Sequence, residues 1–238
     1  TETSRLFKSI IKENIPLTII DRNLELQDPR YQFPAEFIPY LTPPVGHDFL
    51  MKLHKIFRWS INMNSVKYSD TMFANRVYEL QAFGNILLSN YNTGINNQFP
   101  NVRMINAPDD FKVIHNTKEE DLKELQAKSI RTVMKEHTTF HRLIQIAKTV
   151  GLKPSETKSN ILVVLEDNTL EEDFNRQLFD NKKSISASDL SIDVIKQYDF
   201  VTFFGKDYLY EEYYLEELYS AFKYTDVNFV TKETHKEP

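Results

Sequence analysis

Arg76 and Glu79 stand three residues apart in a stretch of helical spacing. That spacing puts a cation and a carboxylate on one face. They serve there as an exposed ion pair or, alternatively, as a phosphate contact beside a carboxylate that accepts ribose hydroxyls. Ser69 and Thr71 lie just ahead, at the expected start of the helix, where free N–H groups and the positive dipole end favour phosphate. A simple N-cap accounts equally well for Ser69. Asn62 and Asn64 alternate at an expected strand end, and Ser89, Asn90 and Tyr91 close the next strand. Amides at such ends position a base or sugar, or tie down the following turn. Tyr91 offers a ring for stacking on a base. His137 and His141 have the i, i+4 spacing of paired helical metal ligands, but no Glu adjoins His137 and no third ligand is evident, so no metal site is expected. No Ser-His-Asp spacing, glycine-rich phosphate loop or catalytic carboxylate pair is present.

These residues need a particular scaffold. Trp59 to Met63 reads as a buried strand end. Ser69 or Asp70 is placed to cap a helix that starts near Thr71, along which Phe73, Val77, Leu80 and Gly84 face a sheet. Ile86 to Leu88 is the next buried strand. Strand, polar loop, capped helix, strand is half of a nucleotide-binding α/β unit, where ligands sit outside the carboxyl ends of the strands. Upstream, Ser4 to Asn14 reads as a helix with Leu6, Phe7, Ile10 and Ile11 on one face, and Ile15 to Ile20 as a strand ending at Asp21-Arg22 beside the expected site. The proline-rich segment 28–46 reads as a loop or a few short turns, long for a compact domain, that packs by its aromatics or shapes a cleft. His47 to Phe57 restores helical spacing. Downstream come an Asn-rich turn at Asn92 to Asn97 and a short strand at Val102 to Ile105. Two helices follow: Lys118 to Glu136, capped by Asn116 or Thr117, and Thr138 to Val150, with Gly151 as its C′ residue.

The stretch TMFANRVYELQAFGNILLSNY, residues 71–91, resembles the donor-binding signature of the spore-maturation CgeB-type glycosyltransferases, a branch of the group 1, two-Rossmann (GT-B) enzymes. Arg131 and the run from His137 to Arg142 resemble the later part of the same family, so the resemblance covers residues 5–152. It implies that Glu79 holds the ribose of a nucleotide-sugar, with Ala82, Gly84 and Ile86 to Ser89 completing the motif. Thr71 stands where the wider group often carries a second Glu. The implied donor-binding set is Glu79, Arg76, Ser69, Thr71, Asn64 and Tyr91. Cations and helix N-termini would stabilise the diphosphate leaving group. The donor is a nucleotide-diphospho-sugar, no separate cofactor is implied, and the acceptor is a cell-surface, teichoic acid or spore-coat glycan. The family's first Rossmann half, which supplies the acceptor site, has no counterpart here, and the abrupt ends fit a fragment of a longer enzyme.

Composition narrows the alternatives. The 238 residues can hold one large or two small domains. The absence of cysteine excludes a disulfide scaffold and fits a reducing compartment. No apolar stretch approaches the roughly 18 residues of a membrane span, and the N-terminus lacks the features of a secretory signal. A cytoplasmic protein, peripheral at the inner face of the membrane, is expected. Residues 158–238 hold 9 Lys/Arg and 17 Asp/Glu, against 20 and 17 in residues 1–157. Neither part is strongly basic, so nucleic acid is not an expected partner.

Lys153 to Ser159 reads as a linker between a Rossmann-like nucleotide-sugar-binding domain, 1–155, and a small α/β unit, 158–238. In the latter, Ile161 to Leu165 and Phe200 to Phe204 are expected strands, Leu170 to Leu178 and Tyr213 to Tyr224 helices, and Phe229-Val230 the start of a further strand. The run DFVTFFGKDYLYEEYYLEEL resembles the metal-motif region of family 2 (GT-A) glycosyltransferases, with Asp207 retained but Gly205 and Tyr208 where other carboxylates stand. One carboxylate is a poor site for a hard divalent cation. Asp207 is therefore expected as a turn or cap residue in a structural or docking unit. The fold class is α/β, a Rossmann-like parallel sheet flanked by helices plus this second unit. Two functions remain open. One is a glycosyltransferase, or part of one, that joins a nucleotide-sugar to a glycan acceptor. The other is a non-catalytic partner- or carbohydrate-binding module among the domains of a larger glycosyltransferase.

Overall fold

The computed structural model describes residues 1–26, 28–154 and 159–232. Residues 155–158 of the expected linker lie outside the described residues. The chain divides into two compact units, Thr1–His137 and Thr138–Pro238, so the division falls ahead of the helix that follows Thr138.

The first unit runs α1 (Glu2–Lys12), β1 (Ile19–Ile20), β2 (Leu41–Thr42), α2 (His47–His54), β3 (Trp59–Asn62), α3 (Arg76–Ala82), β4 (Ile86–Ser89), α4 (Thr93–Gln98), β5 (Arg103–Met104), α5 (Lys112–Asn116) and α6 (Glu119–Glu136). Strands β3, β4 and β5 form a parallel sheet in that order, with Trp59 opposite Ile86 and Asn62 opposite Ser89. Strand β4 lies in the middle, and all four of its residues are buried. A continuous apolar run suits a parallel strand covered on both faces. Its side chains divide between two cores. Leu88 joins Leu6, Phe7, Ile10, Phe37, Ile105 and Phe111, while Leu87 joins Val77, Leu80, Ile95, Phe99 and Val102. Each buried leucine contributes roughly 1.5–3 kcal/mol. The long loop packs by its aromatics: Phe37 meets Phe7 edge-on with centroids 5.7 Å apart, and Phe33 stacks on Phe7 at 6.4 Å.

Several local expectations are corrected. The strand expected over Ile15–Ile20 shrinks to β1, because Asn14 turns left-handed (φ 54°) and Ile15 is spent stopping α1, its N–H donating to Ile10 O. That strand pairs only with β2, in a separate parallel two-stranded sheet. The helix expected near Thr71 begins at Arg76, because Ser69 turns the chain locally instead. Gly84 is no sheet-facing helical residue. At φ 80° it is the C′ residue of α3, its N–H donating to Gln81 O and that of Asn85 to Leu80 O. The Asn-rich turn is α4, because the Asn92 side chain accepts the Ile95 N–H and caps it. Neither Asn116 nor Thr117 caps α6. Asn116 ends α5, and the Thr117 hydroxyl donates back to Val113 O.

The second unit runs α7 (Thr139–Thr149), β6 (Ile161–Leu165), α8 (Glu171–Arg176), β7 (Lys182–Ser186), α9 (Ile192–Ile195), β8 (Phe200–Phe204) and α10 (Tyr214–Ala221). Helix α7 ends as expected, with Gly151 donating to Lys148 O and Leu152 to Ala147 O. The sheet is parallel in the order β7-β6-β8. Both expected strands are present. Strand β7, KKSIS, went unforeseen because it has no apolar run: it is an edge strand, and lysine at an edge discourages further pairing. Phe229-Val230 does not form a strand.

Candidate functional site

The carboxyl ends of β3 and β4 carry a dense amide network. Asn62 Nδ2 donates to Ser89 Oγ (3.1 Å) and to Asn64 Oδ1 (3.0 Å). Asn64 Nδ2 donates to Ser89 Oγ (3.0 Å), while the Asn64 N–H donates to Asn90 Oδ1 (2.7 Å) and Asn90 Nδ2 returns a bond to Asn64 O (2.9 Å). Asn62, Ser89, Asn90 and Asn92 are all buried. A densely hydrogen-bonded network in low dielectric is rigid, so it fixes the shape of this sheet edge. One acceptor is left over. Asn62 Oδ1 is buried and has no partner among the described residues. Such an atom costs about 1–3 kcal/mol unless a donor reaches it. Tyr91 follows directly and tilts against the exposed Tyr68 at 6.2 Å, giving the edge two aromatic rings.

The loop between β3 and α3 folds over the N-terminus of α4. Thr93 and Gly94 donate their N–H groups to Lys67 O and Ser69 O, both at 2.9 Å. Asn92 Oδ1 takes the Ile95 N–H, and its Nδ2 holds Val66 O (2.8 Å) and Met72 O (3.1 Å). The first donors of α4 are therefore satisfied internally. Ser69 Oγ accepts the N–H groups of Thr71 (3.4 Å) and Met72 (3.0 Å), and Thr71 is exposed. No helix begins at Thr71, so the helix-terminus N–H groups expected there are committed to this turn.

Arg76 and Glu79 occupy the exposed face of α3, while Val77 and Leu80 hold its inner face in the core. Among the described residues they form no ion pair with each other, and neither side chain has a hydrogen bond. Both act electrostatically on His54 at the end of α2. Burial pushes the His54 imidazole below its ordinary value, the Glu79 carboxylate works to raise it, and Arg76 works to lower it. His54 stacks on Phe83, and its carbonyl accepts from Asn85 Nδ2. Gly84 ends α3 beside α6, where an added Cβ would meet Ile130 Cδ1 in ordinary contact at 3.4 Å, so its left-handed φ and not close packing calls for glycine.

The expected residues thus fall into three groups. Asn64 and Tyr91 belong to the sheet edge, Ser69 and Thr71 to the loop over α4, and Arg76 and Glu79 to the outer face of α3. The sequence did not single out Asn92, which joins the loop to the edge. Its position just before an apolar-periodic segment is the signal that would have found it. Asp21 is engaged locally, accepting the Asn23 N–H at 2.9 Å. His137 packs its ring on Phe99 (4.6 Å), and His141 Nδ1 meets the Thr138 hydroxyl (2.8 Å). In the second unit, Asp207 lies in a turn after β8, where the Gly205 N–H donates to Tyr210 Oη and the Lys206 N–H to Glu166 Oε2.

Comparison with curated proteins and with solved structures finds no match for the chain. A family model described as glycosyl transferase-like matches residues 25–148. That stretch holds the whole β3–β5 sheet, α3 and the amide network, and it covers more than half of the sequence. The chain belongs to this glycosyl transferase-like family.

Proposed function

We propose that the first unit binds a nucleotide-diphospho-sugar, and that the protein acts as the donor-binding half of a GT-B glycosyltransferase. The sugar passes to a cell-surface glycan, with teichoic acid or a spore-coat glycan as the acceptor class. The observation that carries this proposal is the family match across a segment in which Arg76 and Glu79 are both solvent-facing and uncommitted. A structural ion pair would have consumed them. Glu79 accepts the ribose hydroxyls, Arg76 faces the diphosphate, and Tyr91 with the Asn64 edge borders the base or sugar. Ser69 and Thr71 contact the donor through their loop. The chemistry asked of these groups is electrostatic, aimed at charge developing on the leaving diphosphate. Other domains of a larger enzyme would supply the acceptor site.

Thermal unfolding with a panel of nucleoside diphosphates tests the donor. Selective binding stabilises by about 2.7 kcal/mol at a hundredfold excess over Kd. Calorimetry on Glu79→Ala then tests the assignment. Charge-assisted bonds of roughly 1.5–3 kcal/mol predict a loss of affinity of about tenfold or more. No stabilisation by any nucleoside diphosphate would refute the donor proposal. Unchanged affinity in a folded Glu79→Ala protein would remove Glu79 alone.

A further inference from the structure

An apolar stripe runs along the outside of α7. Phe140, Leu143, Ile146 and Val150 fall on one helical face and are 56–71% exposed, and Leu152 continues the stripe past Gly151 at 63%. Helix α7 fully buries none of its side chains. At 3.6 residues per turn, Arg142 borders one edge of the stripe, and His141 and Lys148 border the other. From His137 through Pro154 the sequence has Arg142, Lys148 and Lys153 and no carboxylate, in a chain whose net charge is −5. A cation-flanked apolar face of this kind is the physical description of a helix that lies in a bilayer interface.

We propose that α7 binds an anionic lipid surface, with Phe140, Leu143, Ile146 and Val150 entering the acyl boundary and the flanking cations meeting headgroup phosphates. Long basic side chains suit the edges, because their stems stay in the apolar layer while the charge reaches the phosphate plane. A second copy of the chain fits the stripe poorly. Pairing two α7 helices face to face would gather Arg142, Lys148 and Lys153 from both, with no carboxylate in the segment to offset them. The proposal does not depend on donor binding, and it gives the family's sugar chemistry a place at a membrane.

Flotation of the full chain with phosphatidylcholine vesicles, with and without phosphatidylglycerol, is the test. Binding is expected to require phosphatidylglycerol and to weaken as salt rises. Two exposed substitutions, Leu143→Gln with Ile146→Gln, should reduce partitioning by about tenfold or more. Arg142→Gln with Lys148→Gln should reduce it by roughly tenfold. Circular dichroism establishes that both variants keep the fold. In a Phe140→Trp protein, brominated lipids should quench the new indole. Absence of binding at low salt, equal binding to neutral vesicles, or full binding by the folded glutamine variant of the stripe would each overturn the proposal. So would concentration-dependent self-association that the same variant abolishes, since a second copy would then cover the face.

Discussion

Replacing Gly94 by alanine tests the packing that holds the β3–α3 loop on α4. A Cβ at this position would lie 2.4 Å from Asp70 O, 2.8 Å from the Asp70 carbonyl carbon and 2.9 Å from Phe73 Cε1. Two of these are backbone atoms, so no rotamer change relieves the clash and the loop must shift. That shift strains the bonds from Thr93 and Gly94 to Lys67 O and Ser69 O, and the bond from Gln98 Nε2 to Asp70 O at 3.0 Å. Overpacking costs about 1–3 kcal/mol. Loss of two backbone hydrogen bonds adds about 1 kcal/mol each. Alanine recovers about 0.5–1 kcal/mol through its better helix propensity. The net expectation is a destabilisation of about 3 kcal/mol. Trp59, the sole tryptophan, sits in β3, so urea unfolding followed by its fluorescence reports this unit. Gly46→Ala, with no atom within 4 Å, should change stability by no more than about 0.5 kcal/mol. A Gly94→Ala midpoint equal to that of Gly46→Ala would refute the close approach, and with it the anchoring of Ser69 and Thr71.

Asn92→Ala removes the α4 cap and two donors to the loop, so the same urea curve should show a loss of about 2–4 kcal/mol, with Asn92→Asp falling between because it keeps the cap. His54 is held neutral by burial. Its contribution is present above its ordinary value of 6.5 and is lost as pH falls through that value toward the depressed folded one, because the unfolded chain takes the proton first. His54→Gln should flatten that part of the stability profile, and an unchanged profile would show the ring to be solvated. Burial raises the Tyr210 and Tyr214 phenols above 10.0. Stability of the second unit should therefore hold below that pH and fall as pH rises past it. Phenolate absorbance that titrates fully at the ordinary value would contradict this.

What the sequence disclosed depended on the range of the forces involved. Ile86 to Leu88 announced a buried strand because three consecutive residues are apolar, and Gly151 announced a helix end because only the local backbone decides it. Gly84 misled for the opposite reason. Its spacing from Val77 and Leu80 continued the helix on paper, yet a left-handed φ ended the helix there and brought the chain into β4. Strand β7 was hidden because pairing to β6, not apolar character, makes KKSIS a strand.

The candidate site divides along the same line. Ser69 looked like a helix cap because its neighbours allowed one, but Gly94, twenty-five residues later, determines how its turn is held. Asn92 looked like one polar residue among several, and its role lies in bonds to Val66 and Met72 that no local spacing encodes. Arg76 and Glu79 are different. Their placement on α3 follows from Val77 and Leu80 facing inward, a periodic constraint written in the sequence itself. The fold commits the neighbouring asparagines and serines to one another and leaves this cation and this carboxylate facing solvent. Polar groups spent on structure have little left to offer a ligand; the pair on the outer face of α3 makes no side-chain hydrogen bond among the described residues. That is why affinity for a nucleotide should depend more on Glu79 than on Ser69, and why Ser69→Ala should chiefly alter stability whereas Glu79→Ala chiefly alters binding.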